Sequence, residues 1–455
     1  MNAAHLSGDS ARGFRFPASS AAILACSLAA GVAVSSLAAT PREFLCAAVG
    51  AVSLVVLLLY PELTLALYVV VGDVKGDDRV ASLFPYDLTL VLGAVLLAGL
   101  ALSFMRRKRA APMPPAYFLL IPLVVMMTSS LAYTPVFDAG LDKLGRFLTV
   151  TGIAIVAPFL ALGAPRAMKR FLIAFAIAAF AICAWSLSGL GGPVRLATPS
   201  NNTIGLGHIA CALILLIWFA VIPRYSFPRR IFTYLLLAVP AIALIGSGSR
   251  GPAIACGIVM LASLLFYRKL LLDLAGLAAL GFIALPFLNI PGSSIDYLGT
   301  LVGSRSVAAL LSFRGDLLDT GWKILQQHPL IGVGIQGFRY ASPNPGVYNW
   351  PHNILLEIAC ELGLPAALIA LALFGSAIRE AIRQLRDRLS PHFLLSQLAA
   401  ALLLIGVVNA TNTGDINSDR STWLFLSLVF VVRSYRGLAP EPAAIASAAH
   451  RPALA

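Results

Sequence analysis

The chain has 455 residues, 59% of them apolar and only 12% charged, about half the roughly 25% charge content of a soluble domain. Together with a mean hydropathy of +0.87, this excludes a water-soluble globule. Unbroken apolar runs such as Phe171 to Leu187 exclude an outer-membrane barrel, whose strands alternate apolar and polar in segments of about ten residues.

In chain order, Arg12 and Arg15 precede an apolar run that ends near Ala39. That is the pattern of a secretory signal or of a retained first helix, and the further spans that follow at once favour the helix. Spans of about 20 apolar residues are predicted near 18–39, 43–59, 84–104, 116–132, 145–162, 168–189, 204–222, 229–246, 250–267, 269–289, 352–375, 393–411 and 420–434. The stretch Glu62 to Val71 is short; if it crosses too the total is 14, and if some of the early segments are re-entrant 12 is the even alternative. The net charge of +13 lies largely in clusters between apolar runs: Arg106 to Arg109, Arg166 to Arg170, Arg224 to Arg230, Arg268 and Lys269, Arg379 to Arg388, and Arg433 with Arg436. Topology explains this charge better than a nucleic-acid partner, and both termini are expected on the cytoplasmic side. No internal repeat is visible, so a transporter built from matched halves gains no support.

The predicted organisation is a transmembrane bundle over 1–290, a loop domain over 291–351, transmembrane helices over 352–437 and a disordered cytoplasmic tail over 438–455. Loops as long as 291–351 are usually functional, and this one lies opposite the basic clusters. The six cysteines fall in or beside apolar segments with no CxxC spacing, and so read as small core residues rather than disulfides or metal ligands.

The far side should be poor in cations, yet it carries Arg195, Arg250, Arg305, Arg314, Lys323 and Arg339. Each has an ordinary explanation in lipid head groups or nearby carboxylates, Asp296, Asp316 and Asp319 among them. Arg250 stands out because it sits in the Gly/Ser break GSGSRG between two apolar runs, where an ionised side chain costs up to a few kcal/mol. A guanidinium there matches a phosphate bidentately, and the backbone N–H groups of such a break suit an anion.

The second signal is NWPHN, opening the apolar run ILLEIACELG. Pro351 suits a first helical turn, which puts His352 at the far-side mouth of a span, where imidazole is a competent proton acceptor. A plain interfacial cap is the alternative. Asn353, Glu357 and Glu361 recur every four residues on one helix face. Glu361 reads as part of a structural polar stripe, Glu357 remains open between support and catalysis, and His208 either reaches the same face or packs as a buried polar residue.

These pieces, GSGSRGPAIA with Arg250, SFRGDLLDTGWKILQQHPLIGVGIQGF with Arg314, and PHNILLEIACELGLPAAL with His352, resemble the O-antigen ligase and polymerase superfamily of bacterial envelope glycosyltransferases. The resemblance covers about residues 240–375. It implies an all-α, polytopic, C-type glycosyltransferase-like fold in the bacterial inner membrane, with a long periplasmic loop and a periplasmic active site. The donor is then a glycan on undecaprenyl pyrophosphate and the acceptor a lipid A-core sugar hydroxyl, or another lipid-linked repeat unit in a polymerase. By the same resemblance His352 is the catalytic residue and Arg250, Arg314 and, less securely matched, Arg195 bind the pyrophosphate. Asn353 and Glu357 are expected to support them.

Since the lipid pyrophosphate is already an activated leaving group, neither nucleotide nor metal cofactor is expected, and direct displacement inverts the anomeric centre. A ligase is the first expectation and a polymerase the second, with a protein O-oligosaccharyltransferase third. A transporter of lipid-linked saccharide is the alternative from a different class, but transporters usually distribute polar residues through the middle of many spans.

Overall fold

A computed structural model describes residues 41–83, 86–190, 192, 195–221, 227–267, 271, 275, 304–341, 350–417, 419–436 and 438; the side chains of 41–48, 83, 227–231 and 304–314 are not described. The described residues form helices and connecting turns without strands. The helices are α1 (Pro41–Leu59), α2 (Pro61–Val70), α3 (Asp78–Leu83), α4 (Leu88–Met105), α5 (Leu120–Ser130), α6 (Phe137–Arg146), α7 (Gly152–Ala161), α8 (Pro165–Ser186), α9 (Thr203–Ala220), α10 (Phe227–Gly246) and α11 (Arg250–Ser263). They continue with α12 (Ser304–Gln327), α13 (Phe338–Ala341), α14 (Ile354–Leu362), α15 (Leu364–Arg386), α16 (Phe393–Asn412) and α17 (Arg420–Arg433).

Six of these helical stretches are long and apolar enough to cross a membrane, and seven if α1 and α2, bent by 107° at Tyr60, count as one broken span. The chain is therefore a multi-pass membrane protein. The spans expected near 18–39 and 269–289 lie outside the described residues, as do Arg12, Arg15, Cys26 and Asp296 and the expected tail beyond 438.

The expected spans near 116–132, 250–267 and 420–434 are shorter apolar helices, and two others take a different course. The one near 145–162 begins at Phe137, because α6 runs through a π-type turn at Phe147–Thr151 directly into α7. Charged residues in DKLGR extend the helix instead of stopping it, since Lys143 is buried against carboxylates. The span read as 352–375 is two helices, α14 and α15, separated at Gly363 with φ +86°, a backbone conformation that L side chains rarely adopt.

The glycine-rich turn HPLIGVG explains that break. Val333 and Gly334 donate from their backbone N–H groups to the carbonyls of Cys360 and Glu361 at 2.9 Å each, and Leu364 N donates to Pro329 O at 2.8 Å. The last carbonyls of α14 are thus satisfied by another segment of chain rather than by continuing the helix. At Gly332 (φ +66°) a Cβ would lie 2.3 Å from Glu361 C, and at Gly363 one would lie 2.2 Å from Leu330 O. Only glycine fits either position. Leu317, Ile324, Phe338 and Cys360 form a small apolar cluster that seats α12 and α13 on α14.

Helices α9, α16 and α17 form the centre. The most apolar stretch of α9 is 72% buried and that of α16 67% buried, against 33% in the peripheral α4, and Thr422 to Val432 of α17 is buried throughout. α16 and α17 pack against each other, α17 against α7, and α9 against α11 and α16, so the helices after residue 352 and those before 290 share one core. Cys183, Cys211 and Cys256 are free and buried in it, and Cys360 is free and buried in the small cluster under α14.

Among the described residues, the basic clusters at 106–109, 166–170, 379–388 and 433–436 gather at one end of the bundle. Arg109 donates to Ser434 O and Arg436 to Arg383 O, both at 3.5 Å; Lys108 reaches Leu59 O at 2.9 Å, and Arg170 pairs with the buried Glu62 at 2.5 Å. Residues 246–251, 350–353 and 413–417 with Asp419 lie at the other end, where α16 finishes and α11, α14 and α17 begin.

Candidate functional site

The site is built on three helix starts and one helix end. Asn353 caps α14, its Oδ1 accepting from Leu355 N and Leu356 N at 3.1 Å each, a standard Asn cap. Pro351 therefore lies ahead of the first turn rather than in it, correcting the expected placement. His352 precedes the cap in a left-handed conformation, φ +55°. For a non-glycine residue this is an unusual, costly backbone state, and it turns the imidazole out of the helix line toward the end of α16.

There His352 Nδ1 lies 3.4 Å from the carbonyl oxygen of Thr413, while Trp350 Nε1 donates toward the same Nδ1 at 3.2 Å. One nitrogen cannot serve both. With the proton on Nδ1 it donates to Thr413 and the ring's lone pair sits on Nε2; with Nδ1 accepting from Trp350, the neutral ring carries its proton on Nε2.

The Arg250 turn meets the same residues. Gly248 has φ +63°, Ser249 N donates to Ser247 Oγ at 3.2 Å, and Ser249 Oγ donates to Thr203 O at 2.9 Å, tying the turn to the start of α9. A Cβ on Gly251, next to Arg250, would lie 3.5 Å from Asn412 Cβ and 3.6 Å from Thr413 Cγ2. A Cβ on Gly248 would lie 3.1 Å from Arg195 Nε, and Leu196 N donates to Gly246 O at 2.9 Å. Arg195, the Arg250 turn and His352 are thus brought to one region around Asn412 and Thr413. Arg305 and Arg314 lie on α12, but their side chains are outside the described residues. Lys323 pairs with Asp319 at 2.5 Å on the exposed face of α12, and Arg339 is exposed on α13.

Glu357 and Glu361 share a face of α14, and both bind Lys143 of α6, at 2.5 and 2.7 Å. All three are buried. Glu357 also accepts from Ile416 N through Oε2 at 3.0 Å, so it supports the 413–419 loop rather than facing the imidazole's partners directly.

A cavity of ≈ 380 Å³ lies between α2, α9, α16 and α17 and is lined by both His208 and His352, with Asp73, Asp419 and Arg420 among its polar walls. His208 Nε2 lies 3.2 Å from Thr413 Oγ1 and its Nδ1 3.9 Å from the buried Asp419. Burial and the nearby charge of Asp415 push the Asp419 carboxyl up to about 8, so at neutral pH it is largely protonated. The guanidinium of Arg420 lies 5.7 Å from the centre of the Tyr68 ring, beside Gly72, where a Cβ would come within 2.1 Å of it. Among the described residues no three His, Cys, Asp or Glu side chains converge to hold a metal.

Lys143, Thr413, Asp419 and Arg420 carry much of this arrangement and were not singled out from sequence. The signal for the last two was available in TGDINSDR, a polar stretch between two apolar runs on the far side. Lys143 was hidden because DKLGR reads as an ordinary surface turn.

Residues 233–371 match the family model described as O-antigen ligase. Over that segment the chain is similar to this family. The match spans Arg250, Arg314, His352, Asn353 and Glu357 while leaving Arg195, Lys143 and the 413–420 segment outside. A comparison with curated proteins finds no match.

Proposed function

We propose that the protein is an O-antigen ligase that transfers a glycan from undecaprenyl pyrophosphate to a lipid A-core sugar hydroxyl at the periplasmic face of the bacterial inner membrane. The observation that carries the reading is the meeting of His352 and the Arg250 turn at Asn412 and Thr413, both His352 and Arg250 lying in the segment matched as O-antigen ligase.

In this reading His352 Nδ1–H donates to Thr413 O, so that Nε2 takes the proton of the acceptor hydroxyl as the oxygen attacks the anomeric carbon. Arg250 and Arg195, with Arg314 from α12, stabilise the charge that grows on the departing pyrophosphate. Attack opposite the leaving group inverts the anomeric centre. The lipid pyrophosphate needs no activation by nucleotide or metal. Asn353 fixes the helix that presents His352, and the basic end of the bundle faces the cytoplasm by the positive-inside rule.

Supplying the purified protein with lipid-linked glycan and lipid A core tests this. A core-capped product is expected. Longer lipid-linked chains instead would make it a polymerase, and movement of lipid-linked saccharide across a vesicle membrane without bond formation would make it a transporter.

A further inference from the structure

The cluster that the proposed chemistry leaves unused is the buried ion group of α6 and α14. Lys143 is matched by two carboxylates at 2.5 and 2.7 Å, and it lies on a different helix from both. Three ionisable side chains in a membrane protein's interior are expensive to bury, and apolar residues would close the same helix contact at no such cost. The question is what the charges hold.

One further bond of these side chains, with two beside it from the Lys143 backbone and Thr151, answers it. Glu357 accepts from Ile416 N at 3.0 Å, the carbonyl of Lys143 accepts from Asn417 Nδ2 at 2.9 Å, and Asn417 Oδ1 accepts from Thr151 Oγ1 at 3.0 Å. All of these bonds end on two consecutive residues of the 413–419 loop. That loop begins with Thr413, whose carbonyl is the hydrogen-bond partner of His352 Nδ1 and whose hydroxyl meets His208. Glu357 stands five residues after His352, so one helix carries the imidazole at its mouth and the loop's anchor on its flank. The loop and the ring are thereby referenced to the same short, capped element.

We propose that Lys143 is a positioning residue for the transfer. It locks Glu357 in the rotamer that holds Ile416 N, and through the 413–419 loop it fixes Thr413 against His352, so that the imidazole keeps its proton on Nδ1 and presents Nε2 to the acceptor hydroxyl. This rests on the base role given to His352 under Proposed function. Lys143 itself touches no substrate, and a group that only orients another through hydrogen bonds acts on the rate of the step rather than on substrate affinity.

Two triple variants in the full-length protein separate positioning from mere burial. Lys143→Met/Glu357→Leu/Glu361→Leu removes every charge and the acceptor for Ile416 N. Lys143→Met/Glu357→Gln/Glu361→Gln removes the same charges but keeps a neutral oxygen for Ile416 N. The leucine variant is expected to lose about 10- to 100-fold in kcat, the range for lost orienting partners, with the KM for lipid-linked donor within about twofold; the glutamine variant is expected to recover most of that loss. Equal kcat in the two variants, or a change confined to KM, overturns the proposal.

If the leucine variant does not fold, Thr151→Val reads the same link, because it removes one hydroxyl from the chain Thr151–Asn417–Lys143 at nearly constant volume. A drop in kcat of about threefold or more at unchanged KM supports the proposal, and wild-type kcat overturns it. Absence of transfer in the wild-type protein would instead defeat the reading under Proposed function.

Discussion

His208 and His352 bond to the same residue, Thr413: His208 Nε2 lies 3.2 Å from its hydroxyl and His352 Nδ1 3.4 Å from its carbonyl oxygen. The partners differ in what a substitution can remove. His352→Ala takes away the proposed base and is expected to lower kcat by about 10²- to 10⁴-fold, with expression and donor binding near wild type. His208→Gln keeps a polar group for the threonine hydroxyl and is expected to stay within about tenfold of wild type. Transfer assays on both variants check this, and activity retained in His352→Ala removes the base assignment.

Trp350 competes with Thr413 for the same ring nitrogen. Trp350→Phe deletes the donor 3.2 Å from Nδ1 and leaves Thr413 as its acceptor, so the base-competent tautomer gains population. Activity is expected to be retained or raised at neutral pH, and a nitrogen-15 spectrum of the imidazole should show more Nδ1–H. A variant as impaired as His352→Ala would mean that the indole does more than bias the proton.

The Arg250 turn gives a pair of predictions about the pyrophosphate. Arg250→Lys keeps the charge but loses the bidentate fork, and a loss of about tenfold or more in kcat/KM is expected. Gly248→Ala places a Cβ at φ +63° and 3.1 Å from Arg195 Nε. It should cost about 1–3 kcal/mol in stability and weaken donor binding, since either the turn or Arg195 must move. Thermal unfolding in detergent and donor titration measure the two effects separately.

Asp419 predicts a pH dependence. Its carboxyl is raised from 3.8 to about 8 by burial first and by Asp415 second, so the folded state keeps a proton that the unfolded chain releases across that window. The resulting stabilisation is present at low pH and is lost as pH rises from about 4 through about 8. Asp419→Asn, which imitates the protonated form, should therefore lose less stability between about pH 6 and pH 9 than the wild-type protein. Thermal melting at the two pH values decides it, and parallel curves would be the contrary result.

Sequence reasoning located the end of the bundle and the motifs more readily than the bonds between them. Apolar run length found α8, α9 and α16 almost to the residue, because helix length in a membrane is set by bilayer thickness. The four-residue spacing of Glu357 and Glu361 correctly put both on one face. Their partner did not follow, because Lys143 lies 214 positions from Glu357 and pairing at that distance depends on packing that no local pattern encodes. Arg420 was absorbed into the start of an apolar span, and Thr413 has no composition signal at all: it matters for its carbonyl, which every residue possesses. The break at Gly363 was missed for the opposite reason, since the run ILLEIACELGLPAALIALALF is apolar enough to read as a single helix.

That break sets the two halves of the run to different solvents. Before Gly363 nearly every side chain of α14 is buried, Glu357 and Glu361 included. After it, Leu364, Leu368, Leu371, Ile378 and Ile382 of α15 form an exposed stripe at helical spacing, the face that acyl chains would cover. An unbroken rod would have to satisfy both demands with one rotational phase. By resetting the phase at a single glycine, the chain lets protein chemistry aim the imidazole-bearing turn while lipid aims the membrane helix behind it, so neither orientation is a compromise with the other.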